Sequence, residues 1–229
     1  MHAVGIVAAA GSGLRLGADR PKALVPLGGR ALVCWAVDAL RDGGVSDVVV
    51  AVPADEHAAF ATVLPLDVRL VAGGETRTAS VRAALAALSD PAQPITADVV
   101  LVHDAARPLT PPEVVARVLA TLEAGARAVV PVLPVVDTTV VVGDEGVITE
   151  AVPRHSLRRV QTPQGFDRDC LVAAYESLDD AGVDAGALTD DASVVRAAGV
   201  PVATVEGHER AAKITVAHDL AVAELQVRT

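Results

Sequence analysis

The stretch GIVAAAGSGLRLGADRPK, residues 5–22, is the part of the sequence from which the fold is most readily inferred. A short apolar run passes directly into a glycine-rich turn, which is typical of a buried strand that ends at a ligand-binding loop. No basic leader stands before this run, so we interpret it as a strand rather than as a signal peptide.

Short valine-rich runs of the same kind recur along the chain and alternate with alanine-rich segments of helical periodicity. One such segment, residues 30–42, places its apolar residues on one face and ends at Gly43 and Gly44, and another starts at Pro111 and Pro112. The alternation predicts an α/β fold in which helices cover both faces of a mostly parallel sheet. The predicted strands are residues 5–9, 47–52, 68–71, 98–103 and 128–133.

Residues 137–152 depart from this alternation. Two apolar segments, 137–142 and 146–152, flank the turn sequence GDEG and predict a β-hairpin. Such a hairpin has no place in a doubly wound sheet, so we expect it to project as an arm, at about residues 137–160, and to contact a partner chain. No linker or composition shift divides the chain, and we expect residues 1–229 to form a single domain.

The composition limits the possible partners and surroundings. Of the 229 residues, 52% are hydrophobic and only 2% aromatic, so we expect a core packed from Val, Ala and Leu. A formal net charge of −10 argues against a nucleic-acid or anionic-membrane surface, and no apolar stretch reaches the roughly 18–20 residues of a membrane span. Cys34 and Cys170 are too few for a disulfide framework, so we expect reduced thiols and a cytoplasmic location.

The glycine-rich loop has the composition of an anion-binding turn but matches neither familiar phosphate motif. Gly11, Gly13 and Gly17 give GxGxxxG rather than the dinucleotide pattern GxGxxG, and no P-loop sequence GxxxxGK[ST] occurs. A purely structural turn would also contain glycines. Arg15 and Lys22 on the same loop favour a triphosphate ligand, because they place two cations beside backbone N–H groups.

Lysine is unusually rare in this chain. There are 17 arginines but only two lysines, Lys22 and Lys213. An ammonium group is a compact point charge that approaches oxygens through a narrow opening, whereas a guanidinium group is a broad planar fork. We therefore interpret the two lysines as candidate phosphate contacts rather than as general surface charge.

An aspartate ends the fourth predicted strand. A carboxylate at this position, Asp104, can hold Mg²⁺ that shares its coordination shell with substrate phosphates. A helix cap or an ion-pair partner for Arg107 would explain the same residue. We interpret the neighbouring His103 as structural, because no other ligand residue stands at metal-binding spacing from it.

Two polar turns predict helix starts. In GGETRTAS, residues 73–80, hydroxyl residues such as Ser80 either cap a helix or contact a base or ribose. In LTDDASVV, residues 188–195, Asp190 or Asp191 is a cap or a first-turn charge. Neither turn identifies a ligand by itself.

Four motifs occur in a fixed order, and they are AAGSGLRLGADRPKALVPLGG (9–29), VHDAARPL (102–109), VQTPQGF (160–166) and TDDASVV (189–195). Together they resemble the 2-C-methyl-D-erythritol 4-phosphate cytidylyltransferase family of non-mevalonate isoprenoid biosynthesis. The resemblance runs from Val4 to about Leu225. It implies a Rossmann-like, doubly wound sheet of the nucleotidyltransferase type A fold. It also implies a homodimer that uses Mg²⁺ and transfers CMP from CTP to a sugar-alcohol phosphate.

The resemblance implies roles for individual residues as well. Arg15, Lys22 and Lys213 would neutralise charge at the α-phosphate of CTP, and Asp104 would hold the metal ion. The nucleotide would lie against a set of small and polar residues, namely Ala9, Ala10, Gly11, Gly13, Gly74, Glu75, Ser80, Ala105 and Arg107. The sugar-alcohol phosphate would be held by Thr162 and by two arm residues of the other subunit, Thr138 and Arg154.

The sequence departs from the family pattern in two places. Ala8 stands where the family often has proline, and Glu209 and Arg210 stand where it commonly has an aspartate before the second lysine. Two other functions fit a similar nucleotide site: a ribitol 5-phosphate cytidylyltransferase and a non-catalytic nucleotide-binding regulator. The joint presence of the predicted cations and Asp104 argues against the regulator, because a degenerate binder is free to lose any of them.

Overall fold

The architecture is seen in a computed structural model, in which residues 1–11, 13, 16–181 and 188–228 are described. Within these residues the strands, in chain order, are β1 (Ala3–Ala8), β2 (Pro26–Leu27), β3 (Arg30–Ala31), β4 (Asp47–Val52), β5 (Arg69–Ala72), β6 (Val99–Asp104), β7 (Ala128–Pro134), β8 (Thr139–Val142), β9 (Ile148–Val152), β10 (Arg158–Val160), β11 (Gln164–Asp167) and β12 (Ala203–Glu206). The α-helices are α1 (Leu32–Asp42), α2 (His57–Val63), α3 (Arg77–Leu88), α4 (Pro112–Glu123), α5 (Arg168–Ala181), α6 (Asp191–Ala197) and α7 (Ala217–Val227).

Eight of these described strands form one mixed sheet. Its order is β10-β7-β11-β6-β1-β4-β5, and β12 also pairs with β7. Four strand pairs are parallel, and the three that involve β10 or β11 are antiparallel. All five predicted strands are present, displaced by no more than two residues at either end. The predicted doubly wound, mostly parallel α/β fold is confirmed.

The chain changes direction within the sheet at β1. From β1 it proceeds outward to β4 and β5, and it then returns to the other side of β1 to form β6. Both neighbours of β1 are parallel to it, and Ala8 is the register partner of Asp104. Ligands of open α/β sheets bind beyond the carboxyl ends of strands at such a switch point. The glycine-rich loop and Asp104 therefore meet at the expected place for a ligand site.

Helices cover both faces of the sheet, and aliphatic side chains fill the spaces between the layers. Helices α1, α2 and α4 pack on one face, with Val37 and Val118 buried there. Helices α3, α5 and α6 pack on the other face, with Val81 and Leu171 buried. Each such side chain contributes about 1.5–3 kcal/mol when it is fully buried. The predicted core of Val, Ala and Leu is confirmed.

Helix α7 packs away from these two layers, against the small antiparallel pair β2–β3. Leu27, Ile214 and Ala223 form a third buried cluster there. Ile214 is 2% exposed, so the chain segment that includes Lys213 is anchored by its neighbour.

Strands β8 and β9 form a separate two-stranded sheet, which confirms the predicted hairpin. Gly146 closes its turn with a positive φ of 74°, and the Gly143 N–H donates to the Val147 carbonyl. The hairpin exposes large apolar side chains, including Val142 at 53% and Ile148 at 62%. Such a surface is typical of a protein contact.

The helices in the described part of the chain are short, with at most 14 residues in α5, and none is long and apolar enough to cross a membrane. The side chains of Cys34 and Cys170 are buried.

Candidate functional site

A cavity of about 280 Å³ lies at the carboxyl ends of β1 and β6. Most of the residues predicted to bind nucleotide or phosphate line it, namely Ala9, Ala10, Gly11, Lys22, Gly74, Glu75, Ser80, Asp104, Ala105 and Lys213. They come from five segments of the chain, which only the tertiary fold brings together. We refer to this space as the switch-point cavity.

The glycine-rich loop forms one wall of the switch-point cavity. The Lys22 N–H donates to the Gly11 carbonyl at 3.2 Å, which folds the loop back on itself. Gly13 has a φ of 75°, and a Cβ there would lie 3.1 Å from the Lys22 nitrogen. The positive φ favours glycine at position 13, and the close approach of the Lys22 backbone leaves little room for a side chain there. Arg15, the remaining predicted cation of this loop, lies outside the described residues.

The two lysines of the chain meet at this cavity. Lys22 Nζ donates to the Ile214 carbonyl at 3.1 Å, so it contacts the residue that follows Lys213. Lys213 Nζ donates to Asp104 Oδ2 at 2.8 Å. Although 191 positions separate them in the sequence, both lysines therefore line one open space, and Lys213 pairs there with Asp104.

Asp104 is almost buried and surrounded by cations. Its side chain is 10% exposed, and it contacts Lys213, Arg77 Nε at 3.1 Å and Arg107 Nε at 3.9 Å. Burial by itself raises the pKa of this carboxyl, but the charges of Arg77 and Lys213 hold the pKa well below its usual range. Asp104 is therefore ionised at neutral pH.

The backbone at Asp104 is held by a buried polar network. His103 is fully buried, and its Nε2 lies 3.2 Å from the Arg107 carbonyl, to which it donates because a carbonyl only accepts. His103 Nδ1 then accepts from the Thr162 hydroxyl at 2.9 Å, and the same hydroxyl oxygen accepts from the Asp104 N–H at 3.1 Å. Burial lowers the pKa of His103 to about 4, which keeps the ring neutral, as this network requires.

Arg107 and Thr162 therefore lie behind Asp104 rather than on the wall of the switch-point cavity. Both line an adjoining cavity of about 220 Å³, which Asp104 and Lys213 also line. Arg107 Nη1 donates to the Ala211 carbonyl at 2.7 Å and so holds the segment that precedes Lys213.

The start of helix α3 also lines the switch-point cavity. Thr76 caps this helix by accepting from the Ala79 N–H at 3.0 Å, as the polar turn predicts. The Ser80 hydroxyl contacts both the N–H and the carbonyl of Gly74, at 3.2 and 3.3 Å. A helix N-terminus favours a negatively charged ligand, so this wall also suits phosphate.

Arg77 is the residue of this site that sequence reasoning missed. It is the first residue of α3, lines the switch-point cavity and contacts Asp104. It stands inside the stretch GGETRTAS, whose hydroxyl residues alone predict the helix start. The available signal was an arginine at a predicted helix start, where cations are disfavoured unless a carboxylate compensates.

The predicted arm residues lie elsewhere in the chain. Thr138 and Arg154 are both exposed, and Arg154 Nη1 donates to the Val136 carbonyl at 2.6 Å. Within the described part of this single chain, neither residue lines the switch-point cavity. Glu209 pairs with Arg159 of β10 at 2.8 Å, and its side chain is 74% exposed.

The fit of a divalent metal ion follows from the available ligands. No cluster of three or more His, Cys, Asp or Glu side chains that could hold a metal occurs among the described residues. The cavity wall does supply two carboxylates, Asp104 and Glu75. Magnesium commonly binds one or two carboxylates and takes its other ligands from water and substrate phosphates. The site therefore fits an ion that arrives with a nucleoside triphosphate.

A larger cavity of about 480 Å³ lies against β5, and its wall includes Asp47, His57 and Arg69. It is remote from the switch point, and neither lysine lines it. We assign the functional site to the smaller cavity because its charges and its position in the sheet both suit a triphosphate.

Comparison with known proteins gives matches over nearly the whole chain. Residues 3–229 match the model of the 2-C-methyl-D-erythritol 4-phosphate cytidylyltransferase family. The chain is 50% identical over 230 residues to the protein of that name from Saccharopolyspora erythraea, with 98% of each chain covered. It is 48% identical to the one from Rhodococcus jostii, over 98% of this chain and 94% of the relative. The crystal structure of the protein of that name from Thermus thermophilus matches with a TM-score of 0.80 and 38% identity over the whole of both chains.

Proposed function

The chain belongs to the 2-C-methyl-D-erythritol 4-phosphate cytidylyltransferase family, and we propose that its switch-point cavity transfers CMP from CTP to 2-C-methyl-D-erythritol 4-phosphate. The observation that supports this location is that Lys22 and Lys213, the only lysines in 229 residues, both line this cavity, where Lys213 donates to Asp104. Surface charge or solubility would not gather both of them at one cavity.

The reaction depends on neutralisation of phosphate charge rather than on a covalent enzyme intermediate. An oxygen of the sugar-alcohol phosphate forms a bond to the α-phosphorus of CTP, and the bond from that phosphorus to the β-phosphate oxygen breaks. Diphosphate leaves with the electron pair of that bond. Lys22 and Lys213, with Arg15 of the same loop, stabilise the negative charge that builds up on the phosphate oxygens.

The nucleotide and the metal ion occupy the same space in this proposal. Gly11, Gly74, Glu75 and Ala105 contact the nucleotide, together with other small residues of the wall: Ala9, Ala10 and Ser80. Gly13 belongs to the same nucleotide-binding loop and allows it to turn. Asp104 holds a divalent ion, for which we propose Mg²⁺. Such an ion, when bound, neutralises phosphate charge and orients the triphosphate. Arg107 acts from behind Asp104 by holding its surroundings in place.

We propose that the sugar-alcohol phosphate is bound by a homodimer. The apolar side chains of the arm are exposed in the single chain, which supports their burial by a second copy. Thr138 and Arg154 of that copy would reach the cavity, while Thr162 stands on the same chain beside Asp104. The buried, reduced cysteines support a cytoplasmic location.

A direct assay tests the proposed function. Purified protein is incubated with CTP and Mg²⁺ together with either 2-C-methyl-D-erythritol 4-phosphate or ribitol 5-phosphate, and diphosphate release and the CDP-linked product are measured. We expect product with the methylerythritol substrate and discrimination against UTP, because a tight backbone-lined pocket rejects a base that leaves polar groups unpaired. Preference for ribitol 5-phosphate would support the sister activity, and tight CTP binding without diphosphate release would support the regulator.

A further inference from the structure

A series of polar contacts connects the buried core to Asp104 at the switch-point cavity. The Tyr175 hydroxyl of α5 donates to Asp191 Oδ1 at 2.6 Å. Asp191 Oδ2 lies 2.6 Å from Arg77 Nη2, and Arg77 Nε donates to Asp104 Oδ1 at 3.1 Å. Three helices are thereby connected to the end of strand β6.

The inner end of this series is deeply buried. Asp191 is 0% exposed and Tyr175 is 3% exposed. Burial and the neighbouring carboxylate both raise the pKa of Tyr175, so its hydroxyl keeps its proton and donates to Asp191. A buried ion pair is often no more stabilising than apolar side chains of the same volume. Stability alone is therefore a weak explanation for placing Arg77 and Asp191 here.

The shape of the guanidinium group suggests another role. Arg77 uses one edge for Asp191 and a different nitrogen for Asp104, and an ammonium group is too compact to span both. The terminal torsion of an aspartate has a broad, roughly two-fold preference, so an isolated Asp104 carboxylate would rotate. With Arg77 on Oδ1 and Lys213 on Oδ2, each oxygen has an assigned partner.

We propose that Arg77 is a positioning residue, which is held by the buried Asp191–Tyr175 pair and fixes the orientation of the Asp104 carboxylate and, through it, of Lys213. The inference rests on the proposed function, because that function defines the chemistry that Asp104 and Lys213 perform. The positioning itself is a property of the protein without substrate.

Kinetics provide the first test. Arg77→Lys keeps the charge but cannot contact both carboxylates, and we expect kcat per active site to fall about tenfold to a hundredfold with a smaller change in KM for CTP. Asp191→Asn should lower kcat in the same direction. Because Asp191 acts through Arg77, the double variant should lose about as much as Arg77→Lys alone. A purely structural role predicts a lower Tm with unchanged kcat per correctly folded site.

The matched control is Arg82→Lys. Arg82 lies on the same helix, donates to the Tyr175 carbonyl at 3.1 Å and stacks on its ring at 5.7 Å. The Arg82→Lys variant therefore removes a guanidinium group beside Tyr175 but leaves the contact between Arg77 and Asp104 in place. Equal kcat losses in Arg82→Lys and Arg77→Lys, or additive losses in the double variant, would overturn the proposal.

Crystal structures of the wild type and of the Arg77→Lys and Arg82→Lys variants, without substrate, provide the second test. We expect the Asp104 carboxylate to rotate only in Arg77→Lys, and an unchanged carboxylate there would overturn the proposal. If Arg77→Lys does not fold, Tyr175→Phe removes only the inner hydroxyl and is measured in the same way. A wild type that forms no product would refute the proposed function, while the crystal structures would still decide the positioning.

Discussion

Replacing each lysine by arginine tests whether the site needs a precisely placed ammonium group or only a positive charge. Lys22→Arg and Lys213→Arg both retain a cation at the switch-point cavity, but a longer planar fork replaces the compact ammonium group. At position 213, the new group can no longer occupy the place 2.8 Å from Asp104 Oδ2 while facing the same space. The charge is conserved and its location changes.

The magnitude follows from what the contact does in the transition state. Removal of one donor that stabilises transition-state charge costs about 10²–10³ in kcat, or about 2.7–4 kcal/mol. The loss should be smaller here, because the charge remains and the Lys213 side chain is 42% exposed to solvent, which screens it. We therefore expect each variant to lose at least about tenfold in kcat/KM, which is about 1.4 kcal/mol.

The assay is steady-state diphosphate release at varied CTP, with thermal unfolding measured in parallel. The Tm should stay nearly unchanged, because neither exchange removes buried apolar surface. Arg20→Lys is the matched control, since Arg20 lies on the same loop, pairs with Asp19 and is 57% exposed. Its kcat/KM should equal that of the wild type. Full activity in both lysine variants would refute the reasoning and make the scarcity of lysine incidental.

Three further outcomes are expected. Asp104→Asn should abolish turnover while the circular dichroism spectrum stays native, and near-normal turnover at moderate Mg²⁺ would contradict its metal role. If the arm completes the partner's site, verified heterodimers formed from inactive Arg154→Ala and inactive Lys22→Ala chains should regain part of the activity. No recovery would mean that each site lies within one chain. Asp219 accepts from the N–H groups of Val216 and Thr215 at 3.0 and 2.7 Å, and these hydrogen bonds lower its pKa in the folded protein. The ionised carboxylate therefore stabilises the folded state at any pH above the ordinary carboxyl pKa. This stabilisation is lost as the pH falls through the lower pKa of the folded state. Asp219→Ala should therefore cost about 1 kcal/mol of unfolding free energy in urea at pH 7 and less at pH 3, and an equal cost at both would contradict this.

Patterns that depend on near neighbours in the chain could be predicted from the sequence. The strand β4 was predicted to the residue, and the helix stop at Gly43 and Gly44 is present because a C-terminal glycine acts locally. The hairpin of the arm was predicted for the same reason, since its turn and its two strands are contiguous. The scarcity of lysine identified Lys22 and Lys213 without any structure, because it is a property of composition.

Only the tertiary structure could show which distant residues touch. The parallel register of β1 and β6 places Ala8 opposite Asp104, and that register depends on packing across the whole sheet. Asp190 caps helix α6 and Asp191 lies in its first turn, as the local pattern predicts, but only the fold shows that Asp191 pairs with Arg77, 114 positions earlier. The same holds for Asp104, whose low pKa is set by cations from three separate segments. The sequence by itself therefore determined the elements, the loop and the two lysines, whereas folding decided how the carboxylate is held, because electrostatic contacts depend on distance in space and not along the chain.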